Sequence, residues 1–232
     1  MGAQSPLMHL DLNLPAYRLD VFLRHERVRS YQVAIGMRRF QTPRGAFGIS
    51  LLLWNPAPGG RGSDCAEHER IPPLGPRTST AKVRLPLSPL LSIQGIAKVG
   101  ALATPSSRRC IGLASTDAID LATLIQRTIL GPGGSDSLLA IALPGMRSIE
   151  VKLHERIPID IRYESVEVVG ETLFVYPDPY HLGTSPWKDA RVALSRVELD
   201  TTAIDYERVR RMTRYPERTP AALPIRRPPS SK

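Results

Sequence analysis

The segment Ser107-Ser-Arg-Arg-Cys-Ile-Gly-Leu holds one of only two cysteines in a chain of 232 residues. This cysteine, Cys110, follows directly on Arg108 and Arg109. Fixed positive charge beside a thiol favours the thiolate, the form that attacks carbonyl carbon and ligates metals. Acyl transfer through a cysteine also needs a group that moves protons, most often histidine. The chain has five histidines, and none lies between His68 and His154. A guanidinium stays protonated at neutral pH, so Arg108 can support a thiolate but cannot serve as its base. Cys65-Ala66-Glu67-His68 offers two metal ligands where a closed zinc site needs four, so it reads as a polar loop. No metal and no cofactor is expected. Two cysteines make no disulfide framework; free thiols are the expectation, and one Cys65–Cys110 bridge in an oxidising compartment is the alternative.

The elements that must position Cys110 follow from periodicity. In His9–Leu14, leucines 10, 12 and 14 share one face of a strand; Leu19, Val21 and Leu23 repeat the pattern, as do Tyr31, Val33 and Ile35. The polar stretch His25-Glu-Arg-Val-Arg-Ser predicts a turn between the last two, hence a meander. Residues 55–80 are dense in Pro, Gly and polar types and read as a long functional or disordered loop. Short strands return at 81–87 and 90–95. A helix follows, with Ser115 or Thr116 as cap, Asp117 at its positive end, and Ala118, Leu121, Ala122 and Ile125 on one face. A second, weaker helix spans 135–143, and strands resume at 157–164 and 172–178. Beyond about residue 200 the chain has one helical stretch and a Pro/Arg-rich tail that is expected to bury no core.

The charge is +9, from 31 basic against 22 acidic residues. Such a balance favours acidic partners: nucleic acid, anionic lipid or a carboxylate-rich polymer. Aromatic residues are only 6% and the basic residues are scattered, which argues against a base-stacking surface, so no nucleic-acid partner is expected. No stretch approaches the eighteen or more apolar residues of a membrane span, and the opening MGAQSPLM lacks the regions of a signal peptide.

The order of motifs resembles the L,D-transpeptidase (YkuD-type) catalytic domain over residues 9–182. The matching pieces are Tyr31-Gln-Val-Ala-Ile-Gly36, Thr42-Pro-Arg-Gly-Ala-Phe-Gly-Ile49, Trp54-Asn-Pro56, Gly75-Pro76, the Ser107–Gly112 segment, the helix from Thr116, and the closing Ile157–Tyr163 and Leu173–Tyr180. The resemblance implies a mainly β, sandwich-like fold with a few helices, its cysteine in a cleft under a loop. Residues 183–232 are then a C-terminal helix and tail outside the domain. It also implies a nucleophile at Cys110, with Ser107, Arg109, Gly95 and Gly112 lining the substrate site and backbone N–H groups near Arg109 and Cys110 as oxyanion donors. Three positions depart from the pattern. Arg108 stands where the family carries its base histidine, Gln94 where it carries a second histidine, and Gly112 where it carries an arginine.

Two functions follow as expectations. One is an envelope or periplasmic acyltransferase that forms 3→3 cross-links between peptidoglycan stem peptides through a Cys110 thioester, impaired by loss of the base unless His68 or His181 replaces it. The other is a catalytically inactive domain of the same fold that binds those peptides. A third, plainer reading makes the chain a basic β-domain whose tail forms the functional contact.

Overall fold

The computed structural model describes residues 6–56, 82–96, 99–107, 110–145, 147–199, 201–214 and 221–225. The chain divides into two compact units, Met1–Leu12 with Tyr17–Arg162 and Asn13–Ala16 with Tyr163–Lys232.

The first unit is built on β1 (Met8–Asn13), β2 (Arg18–Leu23), β3 (Glu26–Gly36), β4 (Gly45–Trp54), β5 (Val83–Ser88), β6 (Leu91–Ile96), β7 (Pro105–Ser107), β8 (Ile111–Ala114) and β9 (Ile149–Arg162), with the helix α1 (Ser115–Ala142) after β8. The strand order is β2-β1-β9-β4-β5-β6-β8-β3-β7, and β2 also pairs with β3, so eight strands close into a ring with β7 appended. Closure removes the free edges that an open sheet would expose. The mainly β architecture matches the expectation from periodicity. The hairpin of the expected meander is present, but its turn is shorter than His25–Ser30: Leu23 faces Glu26, leaving Arg24 and His25 as a two-residue turn with φ of 46° and 73°, and Glu26–Ser30 belong to β3. Positive φ at both positions is the turn that suits the twist of a hairpin.

At the end of β3 the chain turns tightly. Gly36 N–H donates to Thr42 Oγ1 at 2.9 Å, and a Cβ on Gly36 would lie 2.2 Å from the Phe40 carbonyl oxygen. Only glycine fits there, which explains the pairing of Gly36 with Thr42 in the sequence.

Helix α1 buries Ala118, Leu121, Ala122 and Ile125, the face that its spacing predicts, and extends it through Ile129. Its cap differs from the expectation. Ala114 occupies the cap position with no side-chain bond, and the Ser115 hydroxyl instead donates to the Ile96 carbonyl at 3.2 Å. Gly131 (φ 73°) breaks the helix, and Pro132 starts its second half, three residues earlier than the expected second helix. Trp54, fully buried, donates from Nε1 to Gln126 Oε1 at 2.9 Å, and Gln126 Nε2 donates to the Ser135 carbonyl at 3.2 Å. One glutamine thereby joins β4 to both halves of the kinked helix.

The second unit holds a sheet of β10 (Val166–Val169), β11 (Thr172–Val175) and β12 (Ala221–Pro224), with helices α2 (Pro186–Ser195) and α3 (Tyr206–Arg214). Val166, Leu173, Val175, Ala190, Ala193, Leu194, Ile204, Val209, Leu223 and Ile225 form one buried core. The structure therefore differs from the expected division at residue 182. The compact units part between Arg162 and Tyr163, and residues 221–225, expected to lie in a tail, supply a strand and two core side chains.

Candidate active site

One row of residues runs across four strands of the first unit. Arg84 of β5 faces Gln94 of β6, Gln94 faces Gly112 of β8, and Gly112 faces Ala34 of β3. Side chains of facing residues lie on the same side of a sheet. A Cβ on Gly112 would point at Ile96 Cγ2, 2.9 Å away, and at Ala34 Cβ, 3.4 Å away, which fixes the side of this row. Gly95 points the other way, where a Cβ would meet Ser115 Cα at 3.3 Å and Ala118 Cβ at 3.4 Å. Of the two glycines assigned to the site by resemblance, Gly112 thus belongs to the Gln94 side and Gly95 to the side packed on α1.

Cys110 stands two residues before Gly112, at the head of β8. It is 1% exposed and disulfide-bonded. The chain's other cysteine, Cys65, lies outside the described residues. Both properties overturn the expectation of a free thiol at a cleft surface. The Ser107 hydroxyl donates to the Cys110 carbonyl, tying the end of β7 to the start of β8, and the Ser107 carbonyl accepts from Met37 N–H at 2.7 Å. Arg108 and Arg109 lie outside the described residues, as does His68 with the Cys65–His68 segment and Gly75-Pro76. Of the two histidines considered as a replacement base, His181 is exposed and belongs to the second unit. Among the described residues, no group of three or more His, Cys, Asp or Glu is placed to hold a metal ion.

The row also contains a residue that sequence reading missed. Arg84 is 2% exposed, beside Gln94 at 8% and Ser92 at 0%. Burial lowers the Arg84 pKa from its ordinary value, yet a guanidinium remains charged at neutral pH. In the run Lys82-Val-Arg-Leu-Pro-Leu87, Arg84 alternates with Val83, Leu85 and Leu87 and looks like the solvent side of a strand. The available signal was that β5 must be interior if strands flank it on both sides; it lies between β4 and β6. Gln94 Oε1 is buried with no hydrogen-bond partner in the structure.

The base of the loop that follows β4 is pinned by the Trp54-Asn-Pro motif. Asn55 N–H donates to the Lys82 carbonyl at 2.8 Å, and Lys82 Nζ donates to Asn55 Oδ1 at 3.0 Å. Asn55 Nδ2 and Lys82 Nζ also reach the carbonyls of Ala142 (2.9 Å) and Gly145 (2.8 Å). They thereby cover the negative end of α1. On the other side of the site, the Tyr31 hydroxyl donates to Asp120 Oδ2 at 2.6 Å and fastens β3 to α1.

No family model matches the chain, and no curated protein matches it. Solved structures similar to it include L,D-transpeptidases. An L,D-transpeptidase from Mycobacterium smegmatis is 15% identical, with a TM-score of 0.42 over 67% of this chain and 58% of that one. The catalytic domain of the Enterococcus (E. faecium) L,D-transpeptidase is 11% identical, with a TM-score of 0.41 over 69% of this chain and 100% of that domain. L,D-transpeptidase 3 from Mycobacterium tuberculosis, solved with a faropenem-derived adduct, is 12% identical, with a TM-score of 0.42 over 68% of this chain and 61% of that one. This chain thus spans less than two thirds of the M. smegmatis and M. tuberculosis chains.

Proposed function

We propose that this chain binds peptidoglycan stem peptides in the cell envelope on an L,D-transpeptidase-like scaffold, and that in its oxidised form it does not turn them over. The observation that carries this reading is the state of Cys110, buried and disulfide-bonded. A sulfur already bonded to sulfur is no thiolate, and thioester formation needs the thiolate. The motif order from Tyr31 to Tyr180 supports the choice of ligand, and the net charge of +9 suits a polymer rich in carboxylates.

The arginines at 108 and 109 favour a second reading for the reduced protein. After a dithiol opens the disulfide, the Cys110 thiolate attacks the carbonyl of the third stem residue and expels the terminal D-alanine. An amine of a neighbouring stem then takes the acyl group, forming the 3→3 link. Arg108 cannot protonate the leaving amine, so natural stems react slowly, whereas a carbapenem, whose strained ring needs no such help, acylates readily.

The test uses the full chain, oxidised and dithiol-reduced, incubated with peptidoglycan sacculi and separately with a carbapenem. Sedimentation with sacculi in both states, and a mass adduct on Cys110 only after reduction, is the expected pattern. Failure to sediment overturns stem binding, and robust cross-linking by the oxidised protein overturns the claim that it does not turn over. In the reduced protein, Arg108→His is expected to raise acylation by natural stems by about 10² to 10⁴-fold, the range that general acid–base catalysis supplies.

A further inference from the structure

Strand β3 ends at Gly36, level with the head of β8, because Ala34 faces Gly112 in antiparallel register. Strand β6 begins beside that same head, because Ile93 lies level with Ile111 in parallel register. The connection from β3 to β4 (residues 37–44) and the Pro89-Leu90 turn between β5 and β6 therefore project from one end of the sheet. The first is braced from within and from β7. Phe40 N–H donates to the Met37 carbonyl at 2.8 Å, Met37 N–H donates to the Ser107 carbonyl, and Thr42 is tied to Gly36. It presents Arg38, Arg39 and Arg44 to solvent, with the Arg39 guanidinium 5.3 Å from the centre of the Phe40 ring. Among the described residues, no ion pair involves these three arginines. The chain carries no acidic residue between Glu26 and Asp64. The carboxylate that β9 sets along β4, Asp160 opposite Ala46, stands near Arg156, whose side chain lies across Gly48. The second turn holds out Leu90, 48% exposed, next to an exposed Pro89.

Unpaired guanidinium groups on a braced turn attract anions, and their planar forks match phosphate oxygens. An exposed leucine at the tip of a neighbouring turn gains nothing from a soluble polyanion, but it buries apolar area when it enters acyl chains. An anionic phospholipid surface supplies both, phosphate at the headgroup and hydrocarbon beneath it. We propose that this end of the first unit docks on an anionic phospholipid bilayer, Arg38, Arg39 and Arg44 holding lipid phosphates and Leu90 entering the boundary between headgroups and acyl chains. The proposal goes beyond stem-peptide binding and does not rest on it, because a lipid vesicle contains no peptidoglycan.

The experiment is co-sedimentation of the full chain with vesicles of phosphatidylglycerol and phosphatidylcholine in equal parts, and with vesicles of phosphatidylcholine alone. Binding to the mixed vesicles only is expected, and it should fall steeply as salt rises, because exposed charges are screened. A basic residue at an anionic surface is worth about fivefold in partition, so the triple change Arg38→Ser, Arg39→Ser, Arg44→Ser should weaken binding by about 10²-fold. Leu90→Ser should weaken it by about tenfold, the worth of burying an aliphatic side chain. A control triple, Arg24→Ser, Arg147→Ser, Lys152→Ser, removes as much charge from exposed positions away from these turns and should cost far less. An equal loss in the control overturns the docking end, since net charge alone would then explain the binding. A Leu90→Ser protein that binds the mixed vesicles unchanged overturns the bilayer as partner and points to a soluble polyanion, which polyglycerol phosphate would mimic. Absence of binding to the mixed vesicles overturns the proposal outright. Vesicle binding that depends on the three arginines and Leu90, in a protein that does not sediment with sacculi, supports the proposal and overturns only the stem-peptide reading.

Discussion

Gly112 shows how a single residue constrains what this site can become. The resemblance places an arginine there, but a Cβ at this position meets Ile96 Cγ2 at 2.9 Å and Cδ1 at 3.2 Å. Overpacking of this kind costs about 1–3 kcal/mol. Gly112→Ala should therefore lower the denaturant midpoint, and Ile96→Ala should cost less in the Gly112→Ala background than alone. Two residues in contact are expected to couple by about 0.5 kcal/mol or more, and strictly additive midpoints would show that the sheet relaxes around the methyl instead. The same contact bears on restoring the family pattern at Cys110. Gly112→Arg needs Ile96 shortened first. Only the resemblance grouped Cys110, Gln94 and Gly112 in the sequence, the last two as departures from its residue types; the strand ladder sets Gln94 opposite Gly112. The state of Cys110 was not legible, because a thiol and a disulfide differ by spatial pairing, and two cysteines far apart in sequence do not reveal it.

The helix α1 and the strands beneath it were the most readable elements. A stripe of apolar residues at 3.6 spacing has one interpretation, and Ala118, Leu121, Ala122 and Ile125 are buried accordingly. Strand alternation is more ambiguous, since a polar residue opposite an apolar face can point to water or into a second packed layer. Arg84 and Gln94 fall in that ambiguity, and both are buried. The kink at Gly131 is readable as a Gly-Pro signal, but its support is not. Gln126 lies on the buried face and bonds Trp54 and Ser135, a polar role that its apolar neighbours conceal. Gln126→Leu should lower stability by about 1–3 kcal/mol, the cost of leaving the Trp54 indole N–H and the Ser135 carbonyl unsatisfied in the interior. The double change with Trp54→Phe should cost less than the sum of the single changes. Chemical denaturation of the four proteins measures the cycle, and a neutral Gln126→Leu would mean that water replaces the amide.

At the scale of the whole molecule, the C-terminal third was the least legible part, because its core is assembled from short pieces far apart in sequence. Leu223 and Ile225 sit in a Pro/Arg-rich stretch whose composition suggests a tail, yet they are 2% and 8% exposed in the core of the second unit. Burying an aliphatic side chain is worth about 1.5–3 kcal/mol, so deleting residues 221–232 should strip protection from the β11 amides in hydrogen exchange. Unchanged protection would show that β12 is dispensable. Acid should act on the same unit through Asp178. The Tyr163 hydroxyl donates to Asp178 Oδ1, and the N–H groups of Leu182 and Gly183 bond its carboxylate at 3.0 Å each, with Thr184 at 3.4 Å. Burial by itself raises the Asp178 pKa, but these donors, Tyr163 foremost, outweigh it and hold the pKa below the usual carboxylate value. A carboxylate with a lowered pKa in the folded state stabilises that state above its unfolded pKa, about 3.9, and loses the contribution as pH falls through the lower folded value. The second unit should therefore lose stability on acidification below about pH 4. In Asp178→Asn, whose amide nitrogen cannot accept these N–H bonds, the unit should be weaker at pH 7 and its acid-induced loss shallower. Amide exchange of Val168 and Leu173 followed from pH 7 to pH 3 reads both effects, and superimposable profiles for the two proteins would remove Asp178 from the account of acid sensitivity.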